Sequence, residues 1–156
     1  MFNIVLVEPE IPPNTGNVGR LCLATGSTLH LVKPLGFSLD DRQLKRAGLD
    51  YWQDVDVKVW DSLSAILESR GAQERCFFVT TKAIRAYWNV KFEPGDYLVF
   101  GRETKGLPEG LLRENPERCI TIPMQGTRSL NLATAVAIVL FEAVRQQQPS
   151  GEDGVE

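Results

Sequence analysis

The sequence predicts an α/β fold, a mainly parallel sheet with helices on both faces. Three observations carry that expectation. Short apolar runs alternate with helix-patterned stretches along the whole chain, the order of a parallel sheet linked by crossover helices. The runs are nearly continuous rather than alternating, as in strands buried on both faces. At 156 residues, 43% hydrophobic and 24% charged, the chain has the length and composition of one globular domain. That domain is expected over residues 1–148, with "PSGEDGVE" (149–156) as a disordered polar tail.

Each element has its own warrant. "FNIVLV" (2–7) is a β-branched apolar run and reads as a buried strand. Pro12-Pro13-Asn14 then reads as loop. "NVGRLCLATG" (17–26) reads as a helix with Val18, Leu21, Cys22 and Thr25 on one side and Gly26 as its stop. "TLHLVKP" (28–34) is a second strand, ended by Pro34. "SLDDRQLKRAG" (38–48) reads as a polar helix capped by Ser38 or Asp40, with Gly48 beyond its end. "VDVKVW" (55–60) alternates, so it is a strand with one wet face. "DSLSAILESRG" (61–71) has a capping Asp61, a Leu63/Ile66/Leu67 stripe and a closing glycine. "CFFVTT" (76–81) and "DYLVFG" (96–101) are buried strands, and "AYWNVKF" (86–92) between them is loop with some extended character. "PEGLLREN" (108–115) is a short helix and "CITIPM" (119–124) the last strand. The longest helix is expected from Ser129, a natural N-cap, to about Gln147.

Composition excludes several functions. A net charge of −3 rules out a general polyanion binder, so any nucleic acid would need a local basic patch. Cys22, Cys76 and Cys119 are isolated in apolar stretches and read as reduced core residues, neither a disulfide framework nor a zinc site. The only histidine, His30, lies mid-strand and reads as structural. No cluster has metal-ligand spacing, and no nucleophile constellation is present, so no metal is expected. The N-terminus lacks a basic signal-peptide region. "LATAVAIVLFEAV" is too short for a membrane span and is closed by Glu142 and Arg145. A cytoplasmic protein is expected.

The polar residues instead gather where strands end, the edge at which open α/β sheets bind ligands. In "EPEIPPNTGNVGR" (8–20), prolines stiffen the approach, Gly16 and Gly19 permit close backbone contact, and Arg20 could hold a phosphate or carboxylate through its planar fork. In "FGRETKGLPEG" (100–110), Gly101 directly follows a strand and would let a flat ligand reach the backbone. Gly106 bends the loop again, with Glu103 and Lys105 between. The loop fits neither a Walker pattern nor G-x-G-x-x-G. In "TIPMQGTRSLNLATAVAIV" (121–139), Asn131 falls in the first turn of an apolar helix with no evident structural need, so its amide is free to bond a ligand or another loop.

Taken together, these three stretches resemble the three motifs of the SPOUT (α/β-knot) RNA methyltransferases. Asn14-x-Gly16-x-x-x-Arg20 resembles the first, "DYLVFGRETKGLPE" the second and "ITIPMQGTRSLNLATAVAIVLFEA" the third. "NIVLVEPEIPPNTGNVGRLC", "PLGFSLDDRQLKRAGLDYW" and "FFVTTK" further resemble the small YibK/TrmL-like branch of tRNA 2′-O-methyltransferases, and the likeness covers residues 1–147. The resemblance implies a deep trefoil knot near the C-terminus, which sequence rules would never propose. It implies S-adenosylmethionine as cofactor, held by Val79, Thr80, Gly101, Glu103, Gly106, Ile122, Met124, Ser129, Leu130 and Ala133. It implies Arg20, Asn14, Ser129 and Asn131 as the catalytic set, with Arg20 as the base, helped by an RNA phosphate, and the others fixing the loops and the ribose; because guanidinium is a poor base, the expectation is instead that Arg20 orients the hydroxyl and the phosphate. A homodimer through the first and last helices is also implied, and the wobble nucleotide of the tRNA anticodon loop, cytidine or a modified uridine, is the implied target. Arg42, Lys45 and Arg46, with Lys33 and Lys82 beside them, would add RNA contacts. The competing readings are another tRNA or rRNA ribose target, a non-catalytic RNA-binding module, and a Rossmann-type oxidoreductase, the last disfavoured by the missing G-x-G-x-x-G.

Overall fold

Six strands form one sheet: β1 (Asn3–Val7), β2 (Thr28–Val32), β3 (Val57–Trp60), β4 (Cys76–Val79), β5 (Tyr97–Phe100) and β6 (Cys119–Ile120), in the order β3-β2-β1-β5-β4-β6. Every pair is parallel. This computed structural model describes residues 1–47, 49–69, 72 and 74–148. The expected tail (149–156) and the helix-ending Gly48 and Gly71 lie outside them.

The helices α1 (Pro12–Thr25), α2 (Arg42–Ala47), α3 (Leu63–Leu67), α4 (Glu109–Glu114) and α5 (Leu132–Gln147) cover both faces. Alternation along each strand sorts the core into two layers. Ile4 and Leu6 of β1 join Val18 and Cys22 of α1 and Val136, Val139 and Leu140 of α5 on one face. Val5 and Val7 join Ile66 of α3 and Phe78 and Val99 on the other, where Leu111 and Leu112 of α4 pack. Burying each such side chain contributes about 1.5–3 kcal/mol. All three cysteines are free and buried, and burial pushes the Cys22 and Cys76 thiols up to about 12.

Several boundaries differ from expectation, each for a local reason. Pro12 and Pro13 are not loop but the first turn of α1, where the missing N–H has no intrahelical partner to lose. Gly26 ends α1 as expected, left-handed at φ 64°. The cap of α2 is Asp41, whose Oδ1 accepts from the N–H of Gln43 (2.7 Å) and Leu44 (3.3 Å), rather than Ser38 or Asp40. The cap of α3 is Ser62, not Asp61: its hydroxyl accepts from the Ala65 N–H. Strand β6 stops at Ile120, with one further bridge at Thr121, because Pro123 cannot donate to a ladder. The ambiguous stretch 86–92 contains a 3-10 turn, Tyr87–Asn89, bridged to Thr121 through Ala86. The exposure of β3 comes from its place at the sheet edge more than from a wet face, since both Lys58 and Val59 are exposed.

His30 is structural as expected. Its Nδ1 accepts from the Trp60 indole (2.9 Å) and its Nε2 lies 2.9 Å from Asn3 Oδ1, so one neutral tautomer joins three neighbouring strands. Burial, with Lys58 nearby, lowers its pKa to about 4.

Candidate active site

In an all-parallel sheet every strand ends at the same edge. The order reverses around β1, which has β2 on one side and β5 on the other, so the loops after β1 and β5 diverge at a natural ligand site. A cleft of about 620 Å³ opens there. Its walls are the ends of β4 and β5, the loop from Gly101 to Leu107, the stretch from Thr121 to Leu130, and the first residues of α1 and α5. Of the residues expected to hold the cofactor, Val79, Thr80, Gly101, Glu103, Gly106, Ile122, Met124, Ser129 and Leu130 all line it. Ala133 does not: it lines a neighbouring depression on the outer side of α1 and α5.

A chain of hydrogen bonds joins the three loops. Glu103 accepts from the backbone N–H of Glu10 (3.0 Å) and Ile11 (2.8 Å) and from the Asn14 amide (3.3 Å). Asn14 Oδ1 accepts from Asn131 Nδ2 at 3.0 Å, and Asn131 Oδ1 accepts from the Thr134 N–H at 3.2 Å. A carboxylate that can only accept stands at one end and a backbone N–H that can only donate at the other. Both amides therefore have one permitted orientation. In return, the Glu10 carboxylate accepts from the Thr104 N–H (3.0 Å) and hydroxyl (2.8 Å), which hold its pKa below the usual carboxylate value.

Two sequence expectations change here. Asn131, not Ser129, is the N-cap of α5, so its structural need is clear, and the same side chain still reaches Asn14 with its free NH2. Ser129 sits in the loop before the helix and lines the cleft. Gly101 admits the loop's own backbone rather than a ligand: a Cβ there would stand 2.1 Å from Gly106 C. The loop closes on itself through paired bonds between Arg102 and Gly106, and Gly106 takes φ 66° to do so.

Arg20 lies outside the cleft, exposed in the neighbouring depression with Tyr51, Ala133 and Asn131, where its Nη1 donates to Ala47 O at 3.5 Å. Asn131 lines both hollows and is the partition between them. The contact with Ala47 sets Arg20 at the C-terminal end of α2, the helix that carries the exposed Arg42, Lys45 and Arg46. Lys45 pairs with Asp40, and the auxiliary Lys33 and Lys82 pair with Asp61 and Glu109. Cleft residues missed by sequence reasoning include Arg102, Leu107, Arg128 and Leu132. Arg128 sits next to the motif serine, and its position in that stretch was the available signal. Leu107 and Leu132 looked like ordinary core.

The lining suits S-adenosylmethionine. Val79, Leu107, Ile122 and Leu132 offer apolar walls for a flat base, Arg102, Lys105 and Arg128 offer cations for a carboxylate, and the one acidic side chain, Glu103, is already engaged. Among the described residues no group of three His, Cys, Asp or Glu is placed to hold a metal ion, and no helix is long and apolar enough to cross a membrane.

A parallel α/β sheet with its cleft built from loops after β4, β5 and β6, and an arginine across a shared asparagine, defines a nucleotide-sized site with an exposed basic helix near that arginine. The SpoU rRNA Methylase family matches residues 1–141, and the chain belongs to that family. It is 50% identical to the tRNA (cytidine(34)-2′-O)-methyltransferase of Methylovorus glucosotrophus (strain SIP3-4), over 97% of this chain and 99% of that protein. It is 52% identical to the protein of the same name from Burkholderia pseudomallei (strain 1106a), over 94% and 96%. A solved structure reported as giving insights into the 2-OH methylation of C/U34 on tRNA is 49% identical and superimposes with a TM-score of 0.87, over 94% of this chain and 95% of that one. The SpoU methyltransferase AviRb from Streptomyces viridochromogenes, in complex with the cofactor AdoMet, shares the fold at 23% identity and a TM-score of 0.81, over 93% of this chain and 60% of that one.

Proposed function

We propose that this chain is an S-adenosylmethionine-dependent tRNA 2′-O-methyltransferase acting on the ribose of the wobble nucleotide, position 34, cytidine or a modified uridine; the relatives' names specify cytidine 34 of tRNA for them, and the similar solved structure C/U34. The observation that carries the reading is the partition at Asn131, with a cofactor-sized cleft on one side and Arg20 on the other. Bound in the cleft, the cofactor supplies an electrophilic methyl group on a sulfonium. The protein's own part is to align a weak nucleophile against it. Arg20 holds the ribose hydroxyl and an adjacent phosphate through its fork. A guanidinium offers donors and no acceptor, so its part is to orient the acceptor and stabilise charge rather than to remove the proton. The Glu103–Asn14–Asn131 chain locks the partition, so the distance between donor and acceptor does not drift. The basic run on α2 engages neighbouring phosphates.

Outward residues of α1 and α5, with Leu23 and Phe141 exposed, support a homodimer that uses both helices. The expected knot fits the strand order: the chain leaves β6 beyond β4 and crosses back to seat α5 beside α1. A tRNA substrate accords with a cytoplasmic setting.

The test is labelled methyl transfer into total tRNA, with mass spectrometry of the fragments. A methyl group on the ribose of position 34 is expected. Methylation of a base, or of a ribose elsewhere in tRNA or rRNA, would redirect the reading. Binding without transfer would mark a non-catalytic module.

A further inference from the structure

A second hollow adjoins the cleft and has no part in the alignment of donor and acceptor. It measures about 550 Å³ and is bounded by Ile84, Arg85, Leu112, Arg113, Pro116 and Cys119. It shares Thr80, Lys82 and Leu112 with the cleft, so the two form one continuous surface. Its floor is apolar, and Ile84 at its rim is fully exposed, an unusual place for a β-branched aliphatic side chain in a tightly held loop. The loop is held: Arg85 O accepts from the Thr121 N–H (2.8 Å), and the Tyr87 N–H donates to Thr121 O (2.9 Å). The groove is therefore preformed, and the residue that anchors its loop, Thr121, also lines the cleft.

Its charge is opposite to that of the whole molecule. Three cations, Lys82, Arg85 and Arg113, face one acid, Glu109, and that acid is neutralised by Lys82 at 2.6 Å. Arg113 has no ion pair among the described residues. Among the described residues no aromatic side chain lines the groove, so a nucleobase would rest on its apolar floor by packing rather than ring stacking, with its phosphate at the cationic rim. An apolar protein segment would use the floor and leave the cations facing nothing.

We propose that this groove is a subsite for an unstacked base of the RNA strand, on the side of the cofactor cleft away from Arg20. The inference rests on the ribose-methylation reading and extends it: the enzyme grips the strand on both sides of the partition, by phosphates near Arg20 and by a base near Ile84.

The experiment uses the full-length chain and full-length tRNA. Ile84→Glu puts a carboxylate at a fully exposed position, Arg113→Ala removes a cation from the rim, and Ile84→Leu is the control. Methyl-transfer kinetics, fluorescence anisotropy of tRNA binding, calorimetry with S-adenosylhomocysteine, and sedimentation of the free protein are measured for each. For Ile84→Glu, KM for tRNA is expected to rise about tenfold with kcat within about twofold, since the carboxylate removes the apolar contact and repels the strand's phosphates. Arg113→Ala is expected to rise less, and Ile84→Leu to match wild type. Synthetic tRNAs made abasic one position at a time through the anticodon loop should show the same loss with wild type at one position, and no added loss there with Ile84→Glu. Unchanged KM in both variants would overturn the subsite. Weakened S-adenosylhomocysteine binding would instead make the groove part of the cofactor site, and altered dimerisation would make it a protein interface; either overturns the proposal. If wild type binds tRNA without methylating it, the enzymatic reading fails alone, and the anisotropy series still decides the groove.

Discussion

At the scale of single residues, Asn131 has two separable duties. Its carbonyl caps α5 and its NH2 holds Asn14. Asn131→Ala removes both and is expected to cost about 1 kcal/mol of stability along with activity. Asn131→Asp keeps the cap but has no donor for Asn14, which cannot turn over without pointing its oxygen at Glu103. Thermal melts of Asn131→Asp should therefore stay near wild type while kcat falls at least about tenfold; full activity would show that the amide chain does not align the site. Arg20→Lys should lose about 10²-fold in methyl transfer, because an ammonium cannot span two acceptors in one plane, yet bind S-adenosylhomocysteine normally, because Arg20 lies outside the cleft. Near-normal turnover in the lysine variant would refute that role. His30 makes the third residue-scale prediction. Its folded pKa of about 4 lies below the unfolded value of 6.5, so between these values the unfolded chain binds more protons. Stability should be unaffected by His30 above pH 6.5 and should fall as pH drops toward and below 4, by roughly 3 kcal/mol in all. As the only histidine, it can be followed directly by NMR; titration near 6.5 would contradict the buried, twice-bonded ring.

At the scale of elements, what composition and pattern could show was where strands and helices lie. The six strands are apolar runs whose burial leaves little choice, and both helical layers follow from the α/β alternation. Caps were less readable. Asp61 precedes Ser62, Asp40 precedes Asp41, and Ser129 lies two residues before Asn131. In each case neighbouring residues carry an oxygen able to cap, and only the backbone's turn into the helix selects one. The three motif loops were readable as polar insertions after strands, but not the way they bond to one another, since Glu103 is separated from its partners by about ninety residues of sequence. Gly101 shows the difference. Its need for glycine was visible, while its reason, the return of Gly106 against it, is a matter of folded backbone. Gly101→Ala should accordingly damage the loop before it damages chemistry. A stability loss of about 1–3 kcal/mol with weakened S-adenosylhomocysteine binding is expected, read by thermal melts and calorimetry. A variant that is stable and binds normally would mean the loop can open without cost.

At the scale of the whole molecule, an acidic chain presents a cationic flank. Arg42, Lys45 and Arg46 on α2 stand beside Arg20, and Lys45 alone of the three has an ion pair among the described residues. Their triple alanine variant should bind tRNA more weakly, with a log–log salt dependence shallower by roughly 0.7–0.9 for each phosphate no longer neutralised. An unchanged slope would leave that helix face merely solvated. The partition between the two hollows has a further meaning for how the molecule comes into being. Its members come from residues 10–14, 103–104 and 131–134, and α5 supplies Val136, Val139, Leu140 and Ala143 to the core only after they are made. A chain emerging from the ribosome holds Arg20 early and Asn131 late. A chain ending before Asn131 lacks both the partition and the part of the core that α5 supplies, with α1 but not α5 left on that face of the sheet. Truncation there is thus expected to remove stability and activity together rather than leave a slow enzyme.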